Sequence, residues 1–292
     1  MLASSASDQV STVAEQTLRP LRAGEIRLRV HGRHDGGSGD EVPAAVFAQK
    51  LTILVRALRA ADAAVNGRVN HEYVISDLRI GSALVELREA DLSSYDLIGS
   101  HSGVGAFDEC VDAIRTGSIE RAQDFGKCPS YVSQLAKGSG RRFGYAELWI
   151  RDESPLRVDE FLWEQTEAVI SPSKYIAELE AAQQWYKGIA QGSFEGEVKE
   201  VDLRGALPEV KLVLTAGGKE LDCVFRDVDI DRIREALNRK VRVEGTAFYD
   251  GRSGLPRRVE VTAVHPIGDA GDFRRWRGTF EVFEPPPWEN EA

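Results

Sequence analysis

Cysteine is scarce in this sequence and methionine nearly absent, at three and one among 292 residues. Cys110, Cys128 and Cys223 are odd in number, far apart and without a C-x-x-C pair. That pattern argues against a disulfide framework and for reduced thiols in a core. Long apolar runs are missing too: none approaches the roughly 20 residues that cross a bilayer, so no membrane partner is expected. Met1 to Gln16 lacks the basic start and apolar centre of a secretion signal, and the expectation is a cytoplasmic protein.

Signatures of catalysis are also wanting. No G-x-S-x-G elbow sets a nucleophile beside a base. The glycine-rich Gly99–Gly105 stretch could cradle an anion but lacks the Lys and Ser/Thr that end a P-loop. His31, His34, Asp35 and Asp40 are metal-type residues in a short span, yet they border Gly36-Gly37-Ser38-Gly39, and a zinc site needs fixed, supported ligands. They read as solvated turn residues. Glu195/Glu197 and Glu178/Glu180 read as solvated faces rather than acid–base dyads. No catalytic residue, metal or cofactor is expected.

What is present is enough apolar residue to bury a core, 42%, with 29% charged residues and a net charge of −10. The length suggests two domains. The acidic excess is uneven: −6 over residues 1–191, −1 over 192–267 and −3 over 268–292. An acidic whole repels a polyanion at long range, although a near-neutral segment can still carry a local basic patch.

Residues 1–22 read as a polar N-terminal arm ending near Pro20. Residues 23–190 read as a mixed α+β domain. In Glu25–His31 the apolar Ile26, Leu28 and Val30 alternate with polar residues, as on a half-buried strand. Phe47, Leu51, Leu54, Leu58, Ala61 and Val65 recur at helical spacing, with Asn66-Gly67 as a stop. Strands are expected at Tyr73–Ile80, Ala83–Glu89 and Phe143–Ile150. Helices are expected at Ala106–Arg115, Ser130–Lys137, Val158–Val169 and Lys174–Ile189.

From about residue 191 to 267 the period becomes two. Strands are expected at Ser193–Leu203, Glu209–Thr215, Glu220–Arg226, Lys240–Tyr249 and Arg257–His265, with a helical interruption over Asp227–Asn238. Three strands, a helix and two strands, with Gly196 early in the first strand and Val241-x-Val243-x-Gly245 in the fourth, resemble the OB-fold, a five-stranded barrel. The fold class is therefore α+β, a mixed N-terminal domain followed by an OB-like barrel. The resemblance implies a ligand face on the second and third strands and the loops beside them.

On that face Leu221, Cys223, Phe225, Val210, Leu212 and Leu214 should point inward. Lys211, Val213, Thr215, Asp222, Val224 and Arg226 should point out. The outer set offers no pair of rings on which bases could stack. Lys219, Arg226, Arg252, Arg257 and Arg258 are the candidate binding residues, able to meet phosphates or an acidic protein, or simply to keep exposed turns soluble. The tail, residues 268–292, holds Trp276, Phe280, Phe283 and Trp288 around a Pro285-Pro286-Pro287 run. Such aromatics dock on something, either the chain's own barrel or a protein partner. The leading expectation is a non-catalytic binding or adaptor protein. The alternatives are a single-stranded nucleic-acid binder, whose affinity would fall steeply with salt, and an enzyme with a site in the N-terminal domain.

Overall fold

The computed structural model describes residues 19–33, 41–79, 83–92, 101–150, 155–172, 185–226 and 228–267. His34, Asp35, Asp40, Glu178, Glu180 and the aromatic tail with Trp276, Phe280, Phe283 and Trp288 lie outside the described residues. The class is α+β, with an antiparallel sheet under helices followed by a closed barrel.

The N-terminal sheet has the order β2-β3-β1-β4-β5, with β1 (Glu25–Val30), β2 (His71–Arg79), β3 (Leu84–Asp91), β4 (Ala146–Trp149) and β5 (Leu156–Val158). The alternation in β1 sends Ile26, Leu28 and Val30, all 0% exposed, into the core. There they meet α1 (Ala44–Asn66), α2 (Gly103–Arg115), α4 (Cys128–Ala136) and α5 (Glu160–Ile170). Helix α1 contributes Leu54, Ala57, Leu58 and Ala61, spaced by three and four. It ends where Gly67 takes φ 71°, a left-handed cap that favours glycine. Each fully buried leucine contributes ~1.5–3 kcal/mol through its apolar area. Lys50, on the same helix, donates to the carbonyls of Gln134, Leu135 and Lys137 and so closes the end of α4. Burial lowers its pKa to about 8.

The opposite face of this sheet is polar but also buried around β1 and β4. Arg27 pairs with Glu86 at 2.7 Å, and Arg19 bridges Glu86 and Glu25 from the entering chain. His31 is 0% exposed, with Nε2 2.9 Å from Glu147 and its ring stacked on Tyr145. The expectation of a solvated turn histidine is corrected here: the alternation of β1 continues through it and aims it at β4.

Several boundaries also differ from the sequence reading. The three-residue β5 and the short α3 (Ile119–Gln123) were not expected. The helix expected over Lys174–Ile189 fails at its end, because Lys187–Ile189 open the first barrel strand. Their partners are Asp250, Tyr249 and Phe248, and hydrogen bonding to that strand overrides the local helical pattern.

The barrel is formed by β6 (Lys187–Asp202), β7 (Glu209–Leu214), β8 (Glu220–Phe225), β9 (Lys240–Asp250) and β10 (Arg258–Pro266), in the closed order β10-β8-β7-β6-β9. Parallel pairing of β10 with β8 closes it, Val259 opposite Cys223. The first five residues of the predicted inward set match well: Val210, Leu212, Leu221, Cys223 and Phe225 are at most 2% exposed, with Leu214 at 6%. Helix α6 (Ile230–Ala236) adds Ile233 and Ala236 to this core. Gly196 sits where β6 passes from β9 to β7, and a Cβ there would lie 2.4 Å from the Val213 carbonyl. At Gly245 a Cβ would lie 2.0 Å from the Glu260 carbonyl. Both glycines permit the close backbone approach that their strand positions suggested.

Candidate binding groove at the domain seam

The barrel meets the N-terminal domain through the outer side of β7, β8 and β10. Asp159, at the start of α5, accepts from the backbone N–H groups of Phe161 and Leu162 and so caps the helix. Its other oxygen pairs with Arg258 Nη2 at 2.7 Å and Arg157 Nε at 3.1 Å. Arg157 reaches on to Glu209 and to the Leu207 carbonyl, and its guanidinium stacks on the Tyr145 ring at 3.7 Å. Arg258 lies over Phe161 at 4.5 Å. Burial pushes the Asp159 carboxyl up, but Arg258 and Arg157 more than offset it and hold it below its ordinary value.

Further contacts join the domains. The β6–β7 loop presents the N–H groups of Ala206 and Leu207 to Glu147, the carboxylate that also holds His31. Tyr145 donates to the Arg204 carbonyl. On the far side Arg115 meets both oxygens of Glu260 at 2.7 and 2.8 Å, while Arg226 approaches the same carboxylate at 3.0 Å. Val224 points outward as expected, yet it is only 2% exposed. It stands in register with Glu209, inside the docked patch.

The arginines expected to share one exposed surface are therefore divided. Arg258 lies in β10, as expected, but is 8% exposed and engaged at the seam. Arg226 is also held at the seam. Lys219 is exposed in the β7–β8 turn. Arg252 and Arg257 alone among the five line a groove that opens beside the seam.

That groove measures about 530 Å³, within the range of pockets that hold a small ligand. Helices α2 and α5 form one wall, with Ile114, Trp163 and Val169. The barrel forms the other, from the start of β6, the end of β9 and the β9–β10 turn: Lys187, Ile189, Tyr249, Arg252 and Arg257. Phe161 and Phe248 meet edge-to-face between the walls, 5.6 Å apart. Arg257 stands 3.5 Å from Glu164 and 3.6 Å from Asp222 with its side chain 43% exposed. Burial lowers the pKa of Lys187.

Beside the groove lies a feature the sequence reading missed. Trp185 and Tyr186 are 48% and 57% exposed, and Tyr186 packs edge-to-face on Tyr249 at 5.3 Å. Trp185 lies across Gly254 of the β9–β10 turn, where its ring would be 3.1 Å from a Cβ. The sequence pattern predicts a helix over both rings. Gly188 and Gly192, spaced closely within and just after that supposed helix, were the signal against it.

One other candidate resolves without a ligand. The helix N-terminus after His101 receives the protein's own carboxylate, since Val104 N donates to Glu89 Oε2 at 3.1 Å and Ser102 caps Gly105. Among the described residues no group of three or more His, Cys, Asp and Glu side chains is placed to hold a metal. The three cysteines are buried and unpaired, and no described helix is long and apolar enough to cross a membrane.

No family model matches this chain. No curated protein matches it in sequence. Among solved structures, a chain from a Replication Protein A heterotrimer bound to ssDNA is similar over 34% of this chain and 80% of that one. The identity is 19% and the TM-score 0.22, a likeness too slight to bear on function.

Proposed function

We propose that this protein is a non-catalytic binding protein whose barrel is a docking module for its own N-terminal domain and whose ligand enters the groove beside that seam. The observation that carries the reading is the groove itself, built from both domains and rich in rings. The charged groups of the seam are engaged with one another, as in Asp159 with Arg258 and Arg157 with Glu209. They serve to hold the two domains in one geometry, while the groove beside them is left to meet a ligand. An adaptor role, in which Trp276, Phe280, Phe283 and Trp288 engage a protein partner in the cytoplasm, belongs to the same proposal. The tail would then act separately from the groove.

Amide-resolved NMR with indole and adenosine monophosphate as probes tests the reading. Shifts are expected at Ala168, Ile189, Phe248 and Tyr249, with Lys211 and Val213 on the outer side of β7 unmoved. Shifts confined to β7 and β8, or none at all, would contradict it.

A further inference from the structure

The two walls of the groove differ in charge. The helical wall carries Glu164, Glu167 and Arg115; Glu167 already accepts the Ser133 hydroxyl, and Arg115 is held by Glu260. The barrel wall carries Lys187, Arg252 and Arg257 with Asp250, whose Oδ1 accepts the Arg252 backbone N–H, and Asp222, 3.6 Å from Arg257. Directly beside those cations stand the exposed Trp185 and Tyr186, the latter packed on the half-buried Tyr249. A chain with a net charge of −10 thus concentrates cations and exposed rings on one short strip, residues 185–187 and 249–257. Exposed aromatic area of this size costs solubility unless it serves contact.

We propose that this strip binds single-stranded nucleic acid, with bases stacking on Trp185 and Tyr186 and phosphates meeting Lys187, Arg252 and Arg257. The inference rests on the groove being the ligand site and names what enters it. Rings supply a sequence-tolerant platform, and cations interleaved with them follow the backbone that joins successive bases. A duplex has its bases stacked inside and offers these rings nothing. The site lies on the β6–β9 side of the barrel, next to the seam at which Glu209 of β7 pairs with Arg157.

The test is fluorescence anisotropy of the full chain with a fluorescein-labelled oligothymidylate of about twelve nucleotides. With about three phosphates neutralised, raising salt from about 50 to about 200 mM should weaken binding roughly fifteen- to twentyfold. Trp185→Ala and Tyr186→Ala should each weaken it about tenfold, Trp185→Phe should retain most affinity, and Lys211→Ala should change nothing. Arg252→Ala, at an exposed position of the β9–β10 turn, should weaken binding and flatten the salt slope even if a ring variant folds poorly. Absence of binding at low salt overturns the proposal. So does binding that survives the ring variants but is lost with Lys219→Ala. If a synthetic peptide of residues 279–291 shifts the groove amides and the oligonucleotide does not, nucleic acid is overturned while the groove stands as a peptide site. If neither probe nor fragment reaches the groove, the groove reading falls as well.

Discussion

Arg257 and Arg258 are neighbours in sequence and opposites in circumstance. Arg258 is buried, stacked on Phe161 and 2.7 Å from Asp159. Arg257 is 43% exposed, and its nearest carboxylates stand at 3.5 and 3.6 Å. One joins two domains and the other lines an open groove. The difference arises because the chain enters β10 between them, so one side chain turns to the seam and the next away. Residue type alone says little about a cation's role; what decides is which side of the strand it occupies and what is docked there.

The comparison is broken most severely at its buried end. Arg258→Ala leaves Asp159 charged, buried and short of its main partner, and should cost ~3–5 kcal/mol in denaturant unfolding. Replacing Glu147 by Gln weakens the hold on His31 and on the Ala206 and Leu207 amides. The expected loss is ~1.5–3 kcal/mol. Gly245→Ala forces the β9 backbone away from Glu260 and should cost ~1–3 kcal/mol, with no effect specific to the seam.

The pH dependence sharpens the same contrast. The folded Asp159 carboxyl titrates below its unfolded value, so its stabilisation is complete above the ordinary aspartate pKa of ~3.9 and is lost as pH falls through the lower folded value. The stability gap between the wild type and Asp159→Asn should hold from about pH 7 to about pH 5 and shrink below about pH 4. The smallest effect is expected at the exposed end: Arg257→Ala should change stability by less than ~1 kcal/mol, because solvent screens its long contacts.

Much of the barrel was legible in the sequence. Its inward residues alternate over several strands, and Gly196 and Gly245 mark close approaches that only a coiled, closed sheet requires. The sheet and helices of the N-terminal domain were legible where apolar periodicity was sustained, as in β1 and α1. The groove was not legible. Trp185 and Tyr186 precede a strand whose partner, β9, lies some sixty residues later, and no local pattern announces that pairing. Nor did Arg157, Asp159 and Glu209 stand out, because charged residues at such spacings usually face water; only the docking of two domains brings them together and buries them.

A double-mutant cycle on Asp159→Ala and Arg258→Ala, read by denaturant unfolding of the full chain, tests the docking of barrel on domain most directly. A coupling of ~1–3 kcal/mol is predicted for groups in contact across the seam. Strictly additive losses would mean that the two residues do not meet, and that the barrel face and the groove beside it are arranged differently.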